Sequence, residues 1–364
     1  MKKASLARLL RPELSGLSAY EPETARARIL LDANESPYAP SPAFRRRMER
    51  LVGKISLNRY PDPSARELKE KLRRHFGVPK GMAAVLGNGS DEIIQMLCAA
   101  CAGNGRKRPR LAVPMPTFSM FAHIGKSLGW DVLPVPLSER FDLESSLWKK
   151  ALRKEPNLVF LASPNNPTGN AYDSDVILEI VRKSRGLVIV DEAYGAYADG
   201  SFVRQLGRYP NLLLLKTLSK VGFAALRLGV AFGNQAIAAE LEKVRLPYNV
   251  STFSQQAAAL YLANPAEERV HTRLLRRERG ALYAKMGEFE ELEVFPTQAN
   301  FILFRTKGLA AAALHGALLR RGIRIRNLSR PGPLLNCLRV TIGTPEENRA
   351  FLGALRQVLG ESRE

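Results

Sequence analysis

Residues 187–220 read LVIVDEAYGAYADGSFVRQLGRYPNLLLLKTLSK and contain two short runs, 187–190 and 212–215, that are entirely apolar. Polar residues follow each run at once. A third apolar run, 158–161, has the same length and character. Runs of this kind are typical of strands that crossover helices bury on both faces of a parallel sheet. The stretch therefore predicts an α/β fold with a mostly parallel central sheet.

The alternation of helical and strand-like segments extends from about residue 62 to 232. After residue 250 the pattern changes to a long helical region, 251–286, followed by strand-like runs and a last helix that begins near Thr344. The other predicted strands are 83–86, 111–113, 132–135, 226–232, 301–304, 323–326 and 338–342. We expect an N-terminal arm (1–45), a large domain (46–250) and a smaller α+β domain (251–364) that includes the linking helix.

The composition is that of an ordinary globular protein, with 45% hydrophobic and 25% charged residues. The formal net charge of +20 comes from 55 basic and 35 acidic residues, and the basic residues are spread along the chain. No aromatic interleaving and no nucleic-acid motif accompany them. The pattern favours solvated helix faces, with attraction of anionic substrates as the alternative, over nucleic-acid binding.

Three cysteines are an odd and sparse set, which is typical of a reducing cytoplasm and not of a disulfide framework. No apolar run approaches the roughly 20 residues of a transmembrane helix, and the N-terminus lacks the apolar segment of a signal peptide. The four histidines form no metal-binding pattern. We therefore expect a cytoplasmic protein with no metal site and no membrane contact.

Polar residues follow several predicted strands where each strand ends, which is the edge at which open α/β sheets bind ligands. The turn 87–92, GNGSDE, opens a helix whose backbone N–H groups suit an anion. Segment 163–169, SPNNPTG, presents an amide, and 191–194, DEAY, presents a carboxylate and a phenol. Segment 216–220, KTLSK, places hydroxyls before a lysine, and Arg227 follows seven residues later. We expect these groups to face one site.

One small molecule uses all of these groups at once. Its basic ring nitrogen suits Asp191, and its aldehyde suits Lys220. Its phenolic oxygen suits Asn166 and Tyr194. Its phosphate suits residues that offer amide, hydroxyl or guanidinium donors: Gly89, Ser90, Asp91, Thr217, Ser219 and Arg227. That molecule is pyridoxal 5′-phosphate. Each element alone is a common loop or cap, but their joint order predicts a pyridoxal-phosphate enzyme.

The ordered motifs of the chain resemble those of fold-type I, class I/II aminotransferases. The segments that carry the resemblance are 31–38, 58–62, 87–92, 116–120, 163–169, 191–194, 217–220 and 338–348. They extend over nearly the whole chain and are most similar to those of the histidinol-phosphate aminotransferases. The lysine motif and the NPTG motif at 166–169 are specific to the superfamily, whereas segments 32–38 and 338–348 point to the histidinol-phosphate branch.

The resemblance implies a fold-type I transferase, with a large domain built on a mostly parallel sheet and a smaller α+β domain. It implies amino-group transfer between L-histidinol phosphate and 2-oxoglutarate, with glutamate as the product of the acceptor, in L-histidine biosynthesis. An aromatic amino acid aminotransferase and a threonine-phosphate decarboxylase of the same fold stay open. A non-catalytic nucleic-acid-binding protein is a further alternative, but Lys220, Asp191 and Tyr194 argue against it.

The resemblance also implies roles for individual residues. Lys220 carries the cofactor as a Schiff base and then moves the substrate proton, and Asp191 keeps the ring nitrogen protonated. Phe118 stacks on the ring, where family members often carry tyrosine. Arg227 neutralises the phosphate, at a spacing from Lys220 one residue shorter than is usual in the family. Tyr60 reaches the phosphate of the neighbouring subunit in a homodimer.

Substrate anions are expected to meet Arg326 and Arg339, which lie thirteen residues apart on two predicted strands. A guanidinium group suits both a phosphate and a carboxylate, and a transaminase must accept two different substrates in one site. Arg324, on the strand of Arg326, is expected to point to the opposite face. The resemblance also implies that Tyr20 in the arm touches the substrate phosphate.

Overall fold

The computed structural model describes residues 9–19, 21, 23–103, 105 and 107–361. In these residues the chain forms two β-sheets and eleven α-helices. The strands are β1 (Ile29–Leu31), β2 (Met82–Asn88), β3 (Arg110–Met115), β4 (Asp131–Pro136), β5 (Leu158–Ala162), β6 (Leu187–Asp191), β7 (Leu212–Thr217), β8 (Leu228–Asn234), β9 (Leu292–Val294), β10 (Phe301–Thr306), β11 (Ile323–Asn327) and β12 (Cys337–Thr341). The helices are α1 (Pro42–Val52), α2 (Arg66–His75), α3 (Ser90–Ala100), α4 (Ser119–Ser127), α5 (Ser145–Leu152), α6 (Ser174–Lys183), α7 (Gln235–Val244), α8 (Thr252–Leu262), α9 (Ala266–Met286), α10 (Ala311–Arg320) and α11 (Pro345–Glu361).

The larger sheet has seven strands in the order β2-β8-β7-β6-β5-β3-β4. Strand β8 is antiparallel to both of its neighbours, and the remaining pairs are parallel. Reversal of β8 alone leaves β2 running in the same direction as β7. The carboxyl ends of six strands therefore lie at one edge, which confirms the predicted mostly parallel sheet.

The central strands are buried because helices cover both faces of this sheet. All five residues of β5 and all six residues of β7 are buried. Alternate residues of these strands belong to two separate core clusters, one on each face: Val159 and Leu214 lie in one cluster, Phe160 and Leu215 in the other. This arrangement explains why these strands appear in the sequence as continuous apolar runs.

The smaller sheet has five strands in the order β1-β11-β12-β10-β9. Strand β1 comes from the N-terminal arm and pairs in parallel with β11, and the other pairs are antiparallel. A third core cluster packs this sheet against α9, α10 and α11 through residues such as Phe304, Leu314 and Phe351. The helical region predicted at 251–286 is two helices, because Pro265 cannot continue the hydrogen-bond ladder of α8.

Candidate active site

A cavity of about 500 Å³ lies between the carboxyl ends of the larger sheet and strands β11 and β12 of the smaller sheet. The predicted site residues that line it are Ser90, Asp91, Phe118, Asn166, Asp191, Tyr194, Thr217, Ser219, Lys220, Arg227, Arg326 and Arg339. The structure thus brings together side chains that are separated by up to 249 residues, from Ser90 to Arg339. Their convergence follows from the common direction of the strands that precede most of them.

The turn between β2 and α3 forms a site suited to an anion. Gly89 has a φ of 79°, and a Cβ there would collide with the guanidinium group of Arg227. The backbone of Gly229 also lies close, because a Cβ on it would be 2.6 Å from the Ser90 nitrogen. Arg227 Nη2 lies 3.4 Å from Asp91 Oδ2. Because Gly89 and Gly229 have no side chain, the first N–H groups of α3 lie close to the guanidinium group of Arg227.

Two hydroxyl groups complete this side of the cavity. Thr217 Oγ1 lies 2.9 Å from the carbonyl oxygen of Leu228 and 2.9 Å from Ser219 Oγ, and it accepts a hydrogen bond from the Ser219 N–H at 3.1 Å. The Thr217 hydroxyl has a single proton for these two acceptors. When Thr217 donates it to Ser219 Oγ, the Ser219 hydroxyl keeps its own proton to donate towards the cavity.

Asp191 ends strand β6 and is 4% exposed at the floor of the cavity. Its Oδ1 accepts a hydrogen bond from the Ala193 N–H at 2.9 Å. Burial raises the pKa of Asp191 to about 7, against the lowering effect of the Ala193 N–H. The negative charges of Asp91 and Glu192 contribute to this raised pKa, and the positive charge of Lys220 opposes it. A buried carboxyl group of this kind favours a cationic partner.

Asn166 and Tyr194 both have hydrogen-bond donors available to the cavity. Arg339 Nη1 donates to Asn166 Oδ1 at 2.6 Å, which leaves the NH₂ group of Asn166 as a donor. Asn34 Nδ2 donates to the Tyr194 hydroxyl oxygen at 2.9 Å, which leaves the phenol proton for another acceptor. The two donors suit an oxygen that carries negative charge.

Lys220 lies in a kinked turn, Ser219–Phe223, just after β7, in which the backbone angles of Val221 and Gly222 are not helical. Its Nζ donates to the Ala33 carbonyl oxygen at 3.2 Å and lies 5.9 Å from the centre of the Tyr194 ring. The Tyr197 hydroxyl donates to the Lys220 carbonyl oxygen at 2.6 Å and so fixes the backbone. The half-buried amine is therefore held within the cavity by contacts on both its side chain and its main chain.

Arg326 and Arg339 are directly opposite each other on β11 and β12. Opposite residues of an antiparallel pair project to the same face of the sheet, and here both side chains line the cavity. Arg339 also donates to the Asp32 carbonyl oxygen at 2.7 Å and lies 5.1 Å from the centre of the Phe301 ring. Two guanidinium groups thus face the same cavity from one wall.

The expectation for Arg324 is wrong. Residues two apart on a strand share a face, so Arg324 lies on the same side of β11 as Arg326. Its Nε lies 3.1 Å from Asp32 Oδ1, and Asp32 itself lines the cavity. Arg324 also donates to the Ala25 carbonyl oxygen at 2.8 Å, so it connects the wall to the arm.

Two of the predicted residues that the structure describes, Tyr60 and Gly89, do not line the cavity of their own chain. Tyr60 is 79% exposed and stacks on Tyr248, with the ring centres 4.4 Å apart. Tyr20 lies outside the described residues. Gly89 does not itself line the cavity but forms the turn beneath Arg227.

Several lining residues were not found from the sequence. The cavity is also lined by Glu23, Asp32, Asn34, Asn327, Ser329 and Arg330. Asp32 and Asn34 belong to segment 31–38, whose resemblance to a family motif was the one available signal. Glu23 and Arg330 lie in irregular segments without a strand-end position to mark them.

No group of three or more metal-binding side chains occurs in the described part of the chain. In the same residues, no helix has the length and apolar character needed to span a bilayer.

The family model for aminotransferase class I and II matches residues 26–355. The chain belongs to this family. Among its relatives, histidinol-phosphate aminotransferase 2 of Nitrosococcus oceani is 44% identical to this class I and II aminotransferase over 358 residues, which are 98% of this chain and 99% of the relative.

Solved structures share the fold of this class I and II aminotransferase. Histidinol-phosphate aminotransferase from Sinorhizobium meliloti, in complex with pyridoxal-5′-phosphate, is 23% identical with a TM-score of 0.83 and covers 96% of this chain and 97% of its own. L-Threonine-O-3-phosphate decarboxylase from Porphyromonas gingivalis is 20% identical with a TM-score of 0.79 and covers 91% of this chain and 99% of its own. The predicted fold-type I class is confirmed, and at these identities the likeness concerns the fold alone.

Proposed function

We propose that the protein is a histidinol-phosphate aminotransferase that uses pyridoxal 5′-phosphate to transfer an amino group between L-histidinol phosphate and 2-oxoglutarate. The relative from Nitrosococcus oceani, 44% identical over nearly the full length of both chains, supports this substrate. The observation that carries the proposal is the pairing of Arg326 with Arg339 on one wall of the cavity, opposite Asp191 and Lys220. The cavity therefore combines a site for a substrate anion with the residues needed to hold the cofactor.

The residues of the cavity fit pyridoxal 5′-phosphate. Its phosphate suits the turn at Gly89, where a Cβ would fill the space next to Arg227, and its ring nitrogen suits the buried carboxyl of Asp191. Its ring oxygen suits the two donors of Asn166 and Tyr194. When bound, the cofactor supplies an aldehyde that bonds to amines and a ring that withdraws electrons from the substrate carbon.

The side chains of the protein then have separate tasks. Lys220 bonds the aldehyde and, once a substrate amine has displaced it, acts as the base and acid that moves a proton to and from the substrate carbon. Asp191 holds the ring nitrogen in its protonated form by hydrogen bonding and charge. Phe118 covers the ring face from the start of α4, where the hydroxyl of a tyrosine is absent.

Arg326 and Arg339 bind the anionic group of each substrate. A phosphate carries up to two negative charges and a carboxylate carries one, so two neighbouring guanidinium groups serve the first well and still bind the second. From the family resemblance we also propose that Tyr20 contacts the substrate phosphate. The same wall thereby accepts L-histidinol phosphate in one half-reaction and glutamate in the other.

The experiment is a single-turnover half-reaction on cofactor-loaded protein, followed by the visible spectrum of the cofactor. L-Histidinol phosphate, phenylalanine, tyrosine and threonine phosphate are each mixed with it, and carbon dioxide release is measured in parallel. We expect conversion to pyridoxamine phosphate to be fastest with histidinol phosphate, without carbon dioxide. A faster aromatic amino acid would move the assignment to an aromatic aminotransferase, and carbon dioxide from threonine phosphate would move it to a decarboxylase.

We propose that the protein is a homodimer in which Tyr60 binds the cofactor phosphate of the partner subunit. The exposed apolar side chains of two segments support this surface: Leu57, Tyr60, Leu246, Tyr248 and Phe253. A set of aromatic and aliphatic side chains exposed together is typical of a protein interface. We also propose a cytoplasmic location, which the three free cysteines support.

The dimer proposal has a direct test. Lys220→Ala and Tyr60→Ala each lower activity at limiting cofactor, and mixing the two variants under conditions of subunit exchange forms hybrids. If Tyr60 acts across the interface, each hybrid has one site with both native residues, and up to a quarter of all sites become active. If Tyr60 acts within its own chain, mixing restores nothing.

We further propose a division into an arm (1–45), a large domain (46–250) and a small domain (251–364). The separate core clusters of the two sheets support two domains. Limited proteolysis that cleaves near 250 and leaves two stable fragments is the expected result. Cleavage confined to other segments would move the boundary.

A further inference from the structure

Asn34 lies three residues after the end of β1 and is 1% exposed. Its φ of 56° is in the left-handed region, which asparagine tolerates better than most residues other than glycine. A buried polar residue in this conformation is held by its hydrogen bonds, so the direction of each bond is informative.

The side-chain amide of Asn34 has a fixed orientation. Thr341 Oγ1 accepts from the Asn34 N–H at 3.0 Å and donates to Asn34 Oδ1 at 3.2 Å. The Asn34 carbonyl oxygen accepts from Asn300 Nδ2 at 3.0 Å. Because the threonine hydroxyl binds the amide oxygen, the NH₂ group faces Tyr194 and donates to its hydroxyl oxygen at 2.9 Å.

This hydrogen bond determines where the proton of Tyr194 points. A phenol oxygen that accepts from an amide NH₂ cannot return its own proton to that nitrogen, because the NH₂ group is only a donor. Tyr194 is 5% exposed and lines the cavity, so the cavity is the side on which an acceptor can meet the proton. We propose that Asn34 is a positioning residue that directs the Tyr194 proton onto the ring oxygen of the cofactor, an inference that rests on the proposed function.

The direction matters for the chemistry of the site. A hydrogen bond donated to the ring oxygen stabilises its negative form. That charge lies next to the nitrogen of Lys220 when the lysine is bonded to the cofactor, so weakening the charge lowers the pKa of this nitrogen. Without the donor, the nitrogen keeps its proton to higher pH. Besides Lys220, which lies against the Tyr194 ring, the charged groups around this site are Asp191, Arg339, and the pair formed by Asp32 and Arg324.

Asn34→Asp reverses the hydrogen bond. A carboxylate only accepts, so the Tyr194 proton turns towards the introduced carboxylate and away from the cavity. Tyr194→Phe removes the same proton outright and is the reference. The double variant Asn34→Asp/Tyr194→Phe carries the new charge without the phenol and measures the effect of the charge by itself. Asn34→Gly accepts the positive φ and removes the amide but leaves the phenol free to donate.

The measurement is the pH midpoint of the visible absorbance of each cofactor-loaded protein. We expect Tyr194→Phe to raise the midpoint by about one pH unit, since one hydrogen bond to a charged group is worth roughly that much. Asn34→Asp should raise the midpoint by about one unit more than the introduced charge does by itself, which is the difference between the double variant and Tyr194→Phe. Asn34→Gly should raise the midpoint by less than Tyr194→Phe does. Equal effects of the Asn34→Asp substitution with and without the Tyr194 hydroxyl would overturn the proposal.

A second variant covers the case in which Asn34→Asp does not fold. Thr341→Val keeps the shape of the side chain but removes the hydroxyl that fixes the Asn34 amide. We expect it to raise the pH midpoint by less than Asn34→Asp does, and to leave the midpoint unchanged when Tyr194 is already replaced by phenylalanine. A Thr341→Val shift that persists in the Tyr194→Phe background would overturn the inference. A wild-type protein that forms no titrating band with pyridoxal 5′-phosphate would instead overturn the proposed function.

Discussion

The two sides of the cavity are built in different ways. The floor is formed at the ends of the larger sheet by buried groups such as Asp191, Thr217 and Ser219, each fixed by short hydrogen bonds. The wall is formed by the arm and strands β11 and β12, where Glu23 and Arg326 are half-buried and Arg330 is exposed. A floor of this kind suits one permanent cofactor, whereas a partly solvated cationic wall suits two substrates that alternate.

The largest effect is expected at the floor, from Lys220→Ala. Because no other amine in the described part of the cavity lining can bond the aldehyde or move the proton, turnover should fall by about 10³-fold or more. The fold should be kept, since the side chain is half-buried and makes one weak hydrogen bond. Lys220→Arg is the matched control, because it keeps the charge but not the chemistry. Turnover near the wild-type rate in either variant would refute the assigned role.

Asp191→Asn is the next test of the floor. Asparagine has nearly the same shape but no charge to hold the ring nitrogen protonated, so kcat should fall by about 10²- to 10³-fold while cofactor still binds. Single-turnover rates with L-histidinol phosphate measure the loss. A rate equal to that of the wild type would show that another group supports the ring nitrogen.

The same substitution lowers activity but should raise the stability of the protein once the cofactor has been removed. The pKa of Asp191 in the folded state is about 7 against an ordinary value of 3.8, so the folded state binds a proton more tightly than the unfolded state. The contribution of Asp191 to the free energy of unfolding is fully present below pH 3.8. It is lost as the pH rises to 7, and the loss is at most about 4 kcal/mol. Asp191→Asn should therefore be more stable than the wild type at about pH 8 but not at about pH 4. Thermal unfolding curves that differ by the same amount at both pH values would contradict this.

The sequence predicts more of the floor than of the wall, where it indicates Arg326 and Arg339 but not the contacts around them. Asp191, Thr217 and Lys220 were found because they follow apolar strands whose ends must meet at one edge. The contacts of the wall join residues far apart in the chain, such as Arg339 to Asp32, and no local pattern indicates them. The wrong face assigned to Arg324 has a simpler cause, since a period of two places it with Arg326.

Small elements at the wall were missed for a related reason. Strand β1 has three residues with one exposed between two buried, and its register is set by pairing with β11 and not by its own pattern. By contrast, the start of α11 was predicted correctly: Glu347 Oε2 accepts from the Thr344 N–H at 2.8 Å, and the Glu347 N–H donates to Thr344 Oγ1 at 3.2 Å. Capping is local in sequence, whereas strand pairing is not.

The wall is tested by Arg339→Ala and Arg326→Ala. Arg339 is 7% exposed and hydrogen-bonded at both ends of its guanidinium group, so its loss should lower kcat/KM by about 100-fold in both half-reactions. Arg326 is more exposed, and its loss should cost about tenfold, mainly with the phosphate substrate. Loss of only one half-reaction in Arg339→Ala would mean that the two substrates use separate anion sites.

The smallest effect is expected from Glu23→Gln, which asks whether the wall also selects between the substrates. Four acidic side chains line the cavity in the described residues, and three have assigned surroundings: Asp32 with Arg324, Asp91 with Arg227, and Asp191 at the floor. Within the described part of the chain, the carboxylate of Glu23 accepts one weak hydrogen bond, from the Ala25 N–H at 3.3 Å, and His315 Nε2 is 3.8 Å away. It therefore has an acceptor to offer the imidazole N–H of L-histidinol phosphate.

Glutamate has no such donor on its side chain, and its second carboxylate is repelled by Glu23. Glu23→Gln should raise the KM for L-histidinol phosphate about threefold, as expected for a partly exposed charged contact, and should leave the KM for glutamate equal or lower. Glu21→Gln removes the same charge two residues away, outside the cavity lining, and controls for the general field. If both variants change both KM values alike, the arm attracts or repels by net charge alone, and selection between the substrates belongs to the arginines.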